Sequence, residues 1–240
     1  MLDFFATLHW GAVIQIIVID ILLGGDNAVV IALACRDLPS QQRMRGILWG
    51  TAGAIALRVV LIAFAVVLLN VPFLKFTGGL LLLWIGVRLL APSHLEHANV
   101  KPADKLMGAI KTIVVADAVM SLDNVVAIAG AAEAADPRHR IALVIFGLMV
   151  SIPLIVWGSQ LVLKLLDRYP VIVTLGAALL GWIAGGLIVN DPAGDRWPLL
   201  DTPVAEYGMC VAGAVFVVAL GTWLRRRNAR RGGTAGPQSH

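Results

Sequence analysis

Seven long apolar runs constrain this chain more than any other feature, because each is about as long as the ~20 residues a helix needs to cross the hydrocarbon core of a bilayer. They lie near residues 11–35, 46–69, 72–91, 108–132, 140–163, 170–189 and 204–223. The runs are continuous rather than alternating, so helices are expected rather than barrel strands, and a helix satisfies its own backbone as lipid demands. With 59% hydrophobic and 14% charged residues and a mean hydropathy of +0.85, the chain has too little polar surface to cover itself in water. The fold expected is all-α and membrane-integral, with seven transmembrane helices in contact with the lipid bilayer.

The net charge of +4 raises the question of nucleic acid, and the placement of the basic residues answers it. With the N-terminus outside, the inner segments hold Arg36, Arg43, Arg45, Arg88, Lys101, Lys105, Lys111, Lys164, Arg168, Arg225, Arg226, Arg227, Arg230 and Arg231. The outer segments hold only Lys75, Arg138, Arg140 and Arg196. This asymmetry follows the positive-inside rule and predicts N-out and C-in. The basic stretch 225–231 is then a membrane anchor, and no nucleic-acid partner is expected. The first nine residues lack a basic region, so the first run reads as retained rather than as a cleaved signal. Cys35 and Cys210 are far apart in sequence and form no CxxC pair, which argues against redox chemistry.

The chain also repeats itself. The stretch IVIDILLGGDNAVVIALA around Asp26 aligns with VVADAVMSLDNVVAIAGA around Asp123 at an offset of 97 residues, pairing Asp20 with Asp117, Asp26 with Asp123 and Asn27 with Asn124. At the same offset Arg43 pairs with Arg140 and Gly50 with Gly147; Pro72 and Trp84 then pair with Pro170 and Trp182 at 98. Each half holds three crossings, and an odd number forces the second half to enter the bilayer upside down. The prediction is a 3+3 inverted-topology repeat plus one C-terminal helix, an arrangement that places substrate sites near the midplane. The expected divisions are 1–91 for the first repeat, 92–107 for a cytoplasmic linker, 108–189 for the second repeat, 190–223 for an outer loop with the seventh helix, and 224–240 for a basic tail.

Asp20 and Asp26 fall within the first run and Asp117 and Asp123 within the fourth. An ionised side chain at the centre of a membrane helix costs roughly 2.5 to 3.5 kcal/mol on insertion scales, so these positions call for compensation. A bound cation, protons, or Arg58, the basic residue inside the second run, could supply it. Asp20 and Asp26 are six residues apart, about 240° on a regular helix, whereas Asn27, seven residues from Asp20, shares its face. Gly24 and Gly25 lie between and permit unwinding that would bring Asp26 into line. A break is predicted there, and a second at Ser121–Leu122 in the fourth run.

Two Asp-Asn pairs and two further Asp make an oxygen-only donor set, which suits hard divalent cations such as Mg²⁺, Ca²⁺ or Mn²⁺. Asp20, Asp26, Asn27, Asp117, Asp123 and Asn124 are therefore the candidate metal ligands, with Arg58 as a counter-charge or gating group. Met120 could bias such a site towards Mn²⁺, although packing explains a methionine equally. His94, Glu96 and His97 read as a solvated loop, and Glu133 and Glu206 as membrane-boundary residues. No nucleotide-binding loop is present in the sequence, which argues against a primary pump, and no enzymatic activity is expected.

The paired motifs ILLGGDNAVV and VMSLDNVVAI resemble those of the TerC family of membrane proteins, in its short form without a soluble extension. That resemblance implies a bacterial cytoplasmic-membrane protein that exports Mn²⁺, with an association with tellurium resistance. The divalent cation would be a transported substrate rather than a resident cofactor, with protons as a candidate counter-ion. Carried over by position, Asp26, Asn27, Asp123 and Asn124 form the core of the ion site and Asp20 and Asp117 assist. Two other readings stay open: export of another small cation, and a non-transporting partner that delivers metal to secreted enzymes at the translocation machinery.

Overall fold

The computed structural model describes residues 11, 14, 17, 18, 20, 25–64, 71–91, 102–133, 140–193 and 202–232. Among the described residues, seven elements are formed and all are helices: α1 (Gly25–Cys35), α2 (Ser40–Ala63), α3 (Leu74–Leu90), α4 (Pro102–Glu133), α5 (Arg140–Arg168), α6 (Pro170–Val189) and α7 (Pro203–Gly232). Residue 20 is helical as well. Among the described residues, four segments are long and apolar enough to cross a membrane: Ser40–Ala63, Val144–Arg168, Pro170–Val189 and Pro203–Asn228. The helices outrun the apolar runs where polar residues continue them, so α7 carries the arginines of 225–231 on its last turns.

The outward faces of these helices are apolar, which is the reverse of a water-soluble helix. On α6 the buried stripe is Val173, Gly176, Ala177, Leu180, Gly181, Ala184 and Gly185. Val171, Leu175, Leu179 and Trp182 project from the opposite side. On α2 the inward stripe is Gly46, Ile47, Gly50, Thr51, Ala54 and Arg58, and Met44, Leu48, Trp49 and Val60 face out. Large apolar side chains exposed on helix after helix fit a hydrocarbon surround rather than water.

The chain forms two compact units, and both draw on the two sequence repeats. One comprises Met1–Val71 with Ala109–Leu165, and so contains α1, α2 and most of α4 and α5. The other comprises Pro72–Gly108 with Leu166–His240 and contains α3, α6 and α7. The repeat divides the chain by descent, whereas compactness divides it by which helices pack.

In the second unit, glycines let the helices approach closely. A Cβ at Gly181 would strike the backbone of Gly213, and one at Gly185 would strike the carbonyl of Met209, so α6 meets α7 backbone to backbone. A Cβ at Gly79 would come within 2.8 Å of the Ala184 carbonyl oxygen, which sets α3 equally close to α6. Lipid supplies no hydrophobic drive between helices, so dispersion contacts of this kind hold such a bundle together. Asp191, just beyond α6, ties the same three-helix unit at its edge. Its carboxylate accepts backbone N–H bonds from Phe73 (2.8 Å), Phe76 (3.0 Å) and Ala193 (2.8 Å), and so caps the start of α3 from another part of the chain. Phe73, the residue entering α3, has φ 63° and is the non-glycine residue with positive φ among those described.

In the first unit, Gly50 and Gly53 of α2 bring it against Ile113 and Val114 of α4, and Gly158 of α5 faces Ala28 of α1. The Arg43 guanidinium donates to the carbonyls of Arg36 (2.9 Å) and Leu38 (3.2 Å), satisfying oxygens left over where α1 ends.

Candidate functional site

Two of the six candidate ligands, Asp20 and Asp117, meet at Arg58. It lies on the inward stripe of α2, four residues beyond Ala54, and only 2% of it is exposed. Its guanidinium is used on three edges. Nη1 donates to Asp20 Oδ1, Nη2 to Asp117 Oδ1, and Nε to Ser121 Oγ at 2.9 Å. Ser121 in turn donates to Asp117 Oδ2 at 3.2 Å, one helical turn away on α4. The planar fork of arginine suits this task, since its donors lie in fixed directions and stay charged.

Asp20 and Asp117 are the repeat-related pair, so one guanidinium joins equivalent carboxylates from the two halves. The arginine itself breaks the symmetry. The position equivalent to Arg58 is Ile155, buried at 9% exposure. The position equivalent to Ser121 is Gly24, which has no side chain. Two of the positions at which the repeats differ are therefore the two partners of one hydrogen bond. The sequence marks Arg58, a basic residue inside an apolar run, as a counter-charge or gating group, but does not mark Ser121 as its partner. The available signal was the four-residue step from Asp117, which puts both on one face of a helix.

Asp26 follows Gly25 in the first turn of α1. It lies close enough to Arg58 and Asp117 to interact electrostatically with both. Two carboxylates thus bind the guanidinium directly, and a third lies within electrostatic reach of it. Asp26 Oδ1 and both polar atoms of Asn27 are buried without a hydrogen-bond partner. Asn124 is buried on α4. Asp123 lies on α4 next to it, and its side chain falls outside the described residues. Among the described residues, no three His, Cys, Asp or Glu side chains converge closely enough to hold a metal ion.

The second break predicted from the sequence is corrected. Helix α4 runs without interruption from Pro102 to Glu133, straight through Ser121–Leu122. No glycine or proline weakens it there, Leu122 is a good helix former, and Ser121 is held by its bonds to Asp117 and Arg58. At the other break, Gly25 is helical while Gly24 lies outside the described residues. Met120 is buried in α4. The loop residues His94, Glu96 and His97 also fall outside the described residues. Cys35 and Cys210 are buried free thiols.

A helical chain with outward apolar faces, long apolar spans and a charged cluster buried inside one of its units is an integral membrane protein. Residues 5–229 match the family described as the integral membrane protein TerC family, and the chain belongs to it. It is 45% identical over 180 residues to the uncharacterized membrane protein YjbE of Bacillus subtilis, covering 75% of this chain and 80% of that one. It is 27% identical over 200 residues to the UPF0053 protein YegH of Escherichia coli, a match that spans 75% of this chain but 37% of that longer protein. The uncharacterized membrane protein YceF of Bacillus subtilis is 23% identical over 184 residues, or 73% of this chain and 69% of the relative. No solved structure matches the chain.

Proposed function

We propose that this protein is a secondary transporter of a divalent metal cation, with Mn²⁺ as substrate and export from the cytoplasm as its direction. The observation that carries this reading is the buried Asp26 Oδ1 and Asn27 amide, unpartnered among the described residues, within electrostatic reach of the Arg58 ion cluster. Unsatisfied buried polar atoms are costly, and a cation would satisfy them. The proposed cargo ligands are Asp26, Asn27, Asp123 and Asn124, all within the same compact unit. Oxygen donors suit a hard divalent ion, and family membership supports metal as the cargo. Proton counter-transport is a coupling that the carboxylates allow. No enzymatic activity and no resident cofactor belong to this reading.

The setting proposed is a bacterial cytoplasmic membrane with the N-terminus outside and the C-terminus inside, supported by the basic-residue asymmetry and by the bacterial relatives. A fluorescent reporter fused after His240 would then light up in the cytoplasm; a periplasmic reporter would reverse the orientation.

The function is tested by reconstituting the purified chain in liposomes and following Mn²⁺ entry with an internal indicator. Protein-dependent Mn²⁺ flux, competed weakly by Ca²⁺ and not by amino acids, is expected. Mn²⁺ binding without flux would replace transport with the metal-delivery reading. Neither binding nor flux would remove metal from the account.

A further inference from the structure

The cluster around Arg58 has the form of a cation site that is already occupied by a side chain. Asp20 is 1% and Asp117 6% exposed, and each gives Oδ1 to the same guanidinium. Among the described residues, Asp20 Oδ2 is buried and has no close donor. The Ser151 hydroxyl of α5 faces it and also reaches the Gly147 carbonyl, at 3.2 Å, so its one proton serves two acceptors. The arrangement therefore leaves this oxygen under-satisfied even with arginine in place. A purely structural ion pair gains most when every lone pair is satisfied, since the desolvation of both partners must be offset.

The repeat sharpens this reading. Two equivalent carboxylates, one from each half, converge as a symmetric ligand pair would. What holds them together comes from one half only, through Arg58 and Ser121, neither of which has a counterpart at the equivalent position. A symmetric pair of ligands with an asymmetric occupant suggests that the site and its occupant are separable.

We propose that Asp20 and Asp117 form a second divalent-cation site, distinct from Asp26–Asn27, which Arg58 fills as a tethered internal cation and from which a free cation can displace it. This rests on the transport reading only for its purpose: a guanidinium that leaves as the divalent cargo arrives would halve the change in the cluster's charge, from two units to one. The existence of the second site does not depend on transport. At rest, Arg58 keeps Asp20 and Asp117 from acting as cargo ligands and confines the cargo to Asp26, Asn27 and the second Asp-Asn pair.

The test is Mn²⁺ binding stoichiometry, by equilibrium dialysis of the full chain in detergent, for wild type, Arg58→Gln, Arg58→Lys and the triple variant Asp20→Asn/Arg58→Gln/Asp117→Asn. At Mn²⁺ concentrations too low to displace the guanidinium, Arg58→Gln should bind one more Mn²⁺ per chain than wild type, which takes up that ion only at higher concentration. Arg58→Lys, which keeps a tethered cation, should bind as wild type does, and the triple variant should lose the additional ion. Binding curves of wild type and Arg58→Gln that coincide across the whole Mn²⁺ range overturn the proposal, as does an additional ion that survives in the triple variant. Should Arg58→Gln fail to fold, Asp20→Asn/Arg58→Gln retains the wild-type charge of the cluster and presents Asp117 with Ser121. Mn²⁺ should then raise its melting temperature more than that of wild type, and equal shifts overturn the proposal. Failure of the transport reading would show separately, as wild type that binds no Mn²⁺ or carries none.

Discussion

Asp191 and Arg58 show two ways in which a single buried charge is made tolerable. Arg58 is compensated by opposite charges, whereas Asp191 is compensated by peptide N–H groups at the start of a helix, where the helix dipole also favours an anion. Burial pushes the Asp191 carboxyl up, and the N–H bonds of Phe76, Ala193, Phe73 and Lys75 together outweigh it, holding the group below its ordinary value. A carboxylate depressed in the folded state adds stability that is complete above its unfolded value, about 3.9, and is lost as pH falls through the folded one. Asp191→Asn should therefore lower the melting temperature at neutral pH, at a cost of about 0.5–2 kcal/mol by analogy with other helix caps. Melting curves of the two proteins should draw together below about pH 4; a gap that stays constant there would show that the charge of Asp191 contributes nothing. At this scale the sequence was informative where solvation cost alone decides. Asp20, Asp26, Asp117 and Arg58 stand out because lipid penalises them. Ser121 and Asp191 do not, since their partners lie 63 and more than 100 residues away, and a hydroxyl or a loop carboxylate attracts no notice until its neighbours are known.

Helices α4 and α6 illustrate what composition can and cannot say about an element. In α6, glycines and alanines recur at steps of three and four on one face, which identifies that face as a packing surface even before its partner is known. Its partner, α7, follows only from the fold, because any apolar helix offers the same invitation. Gly185→Leu should cost about 1–3 kcal/mol or more, since a Cβ there meets the Met209 carbonyl and backbone cannot step aside as a side chain can. Gly208→Ala on α7, where a Cβ meets nothing within 4 Å, should instead stabilise by up to about 1 kcal/mol. Unfolding in mixed detergent would compare them, and equal effects would contradict the close approach of α6 and α7. In α4, the repeat suggested that whatever Gly24–Gly25 permits in the first half should recur at Ser121–Leu122. It does not, because unwinding depends on the residues at the joint and not on the motif that follows.

For the whole molecule, hydropathy made the membrane class and the helical content legible, because a bilayer restricts the options to very few. How the helices group was not: α1 and α2 share a compact unit with most of α4 and α5, while α3, α6 and α7 make the other, so each unit mixes both repeats. Grouping follows from which faces fit, and alignment of a chain with itself carries no information on that. One consequence is functional. Both Asp-Asn motifs and Arg58 fall in the same unit, so the proposed cargo ligands belong to one packed body. The central claim, that this body carries a divalent cation through Asp26 and Asp123, is tested most directly by Mn²⁺ flux into liposomes for wild type, Asp26→Ala, Asp123→Ala and Asp191→Ala. The account predicts a loss of at least tenfold in the first two variants and near wild-type flux per folded protein in Asp191→Ala, a carboxylate of the other compact unit; undiminished flux in Asp26→Ala and Asp123→Ala would contradict it.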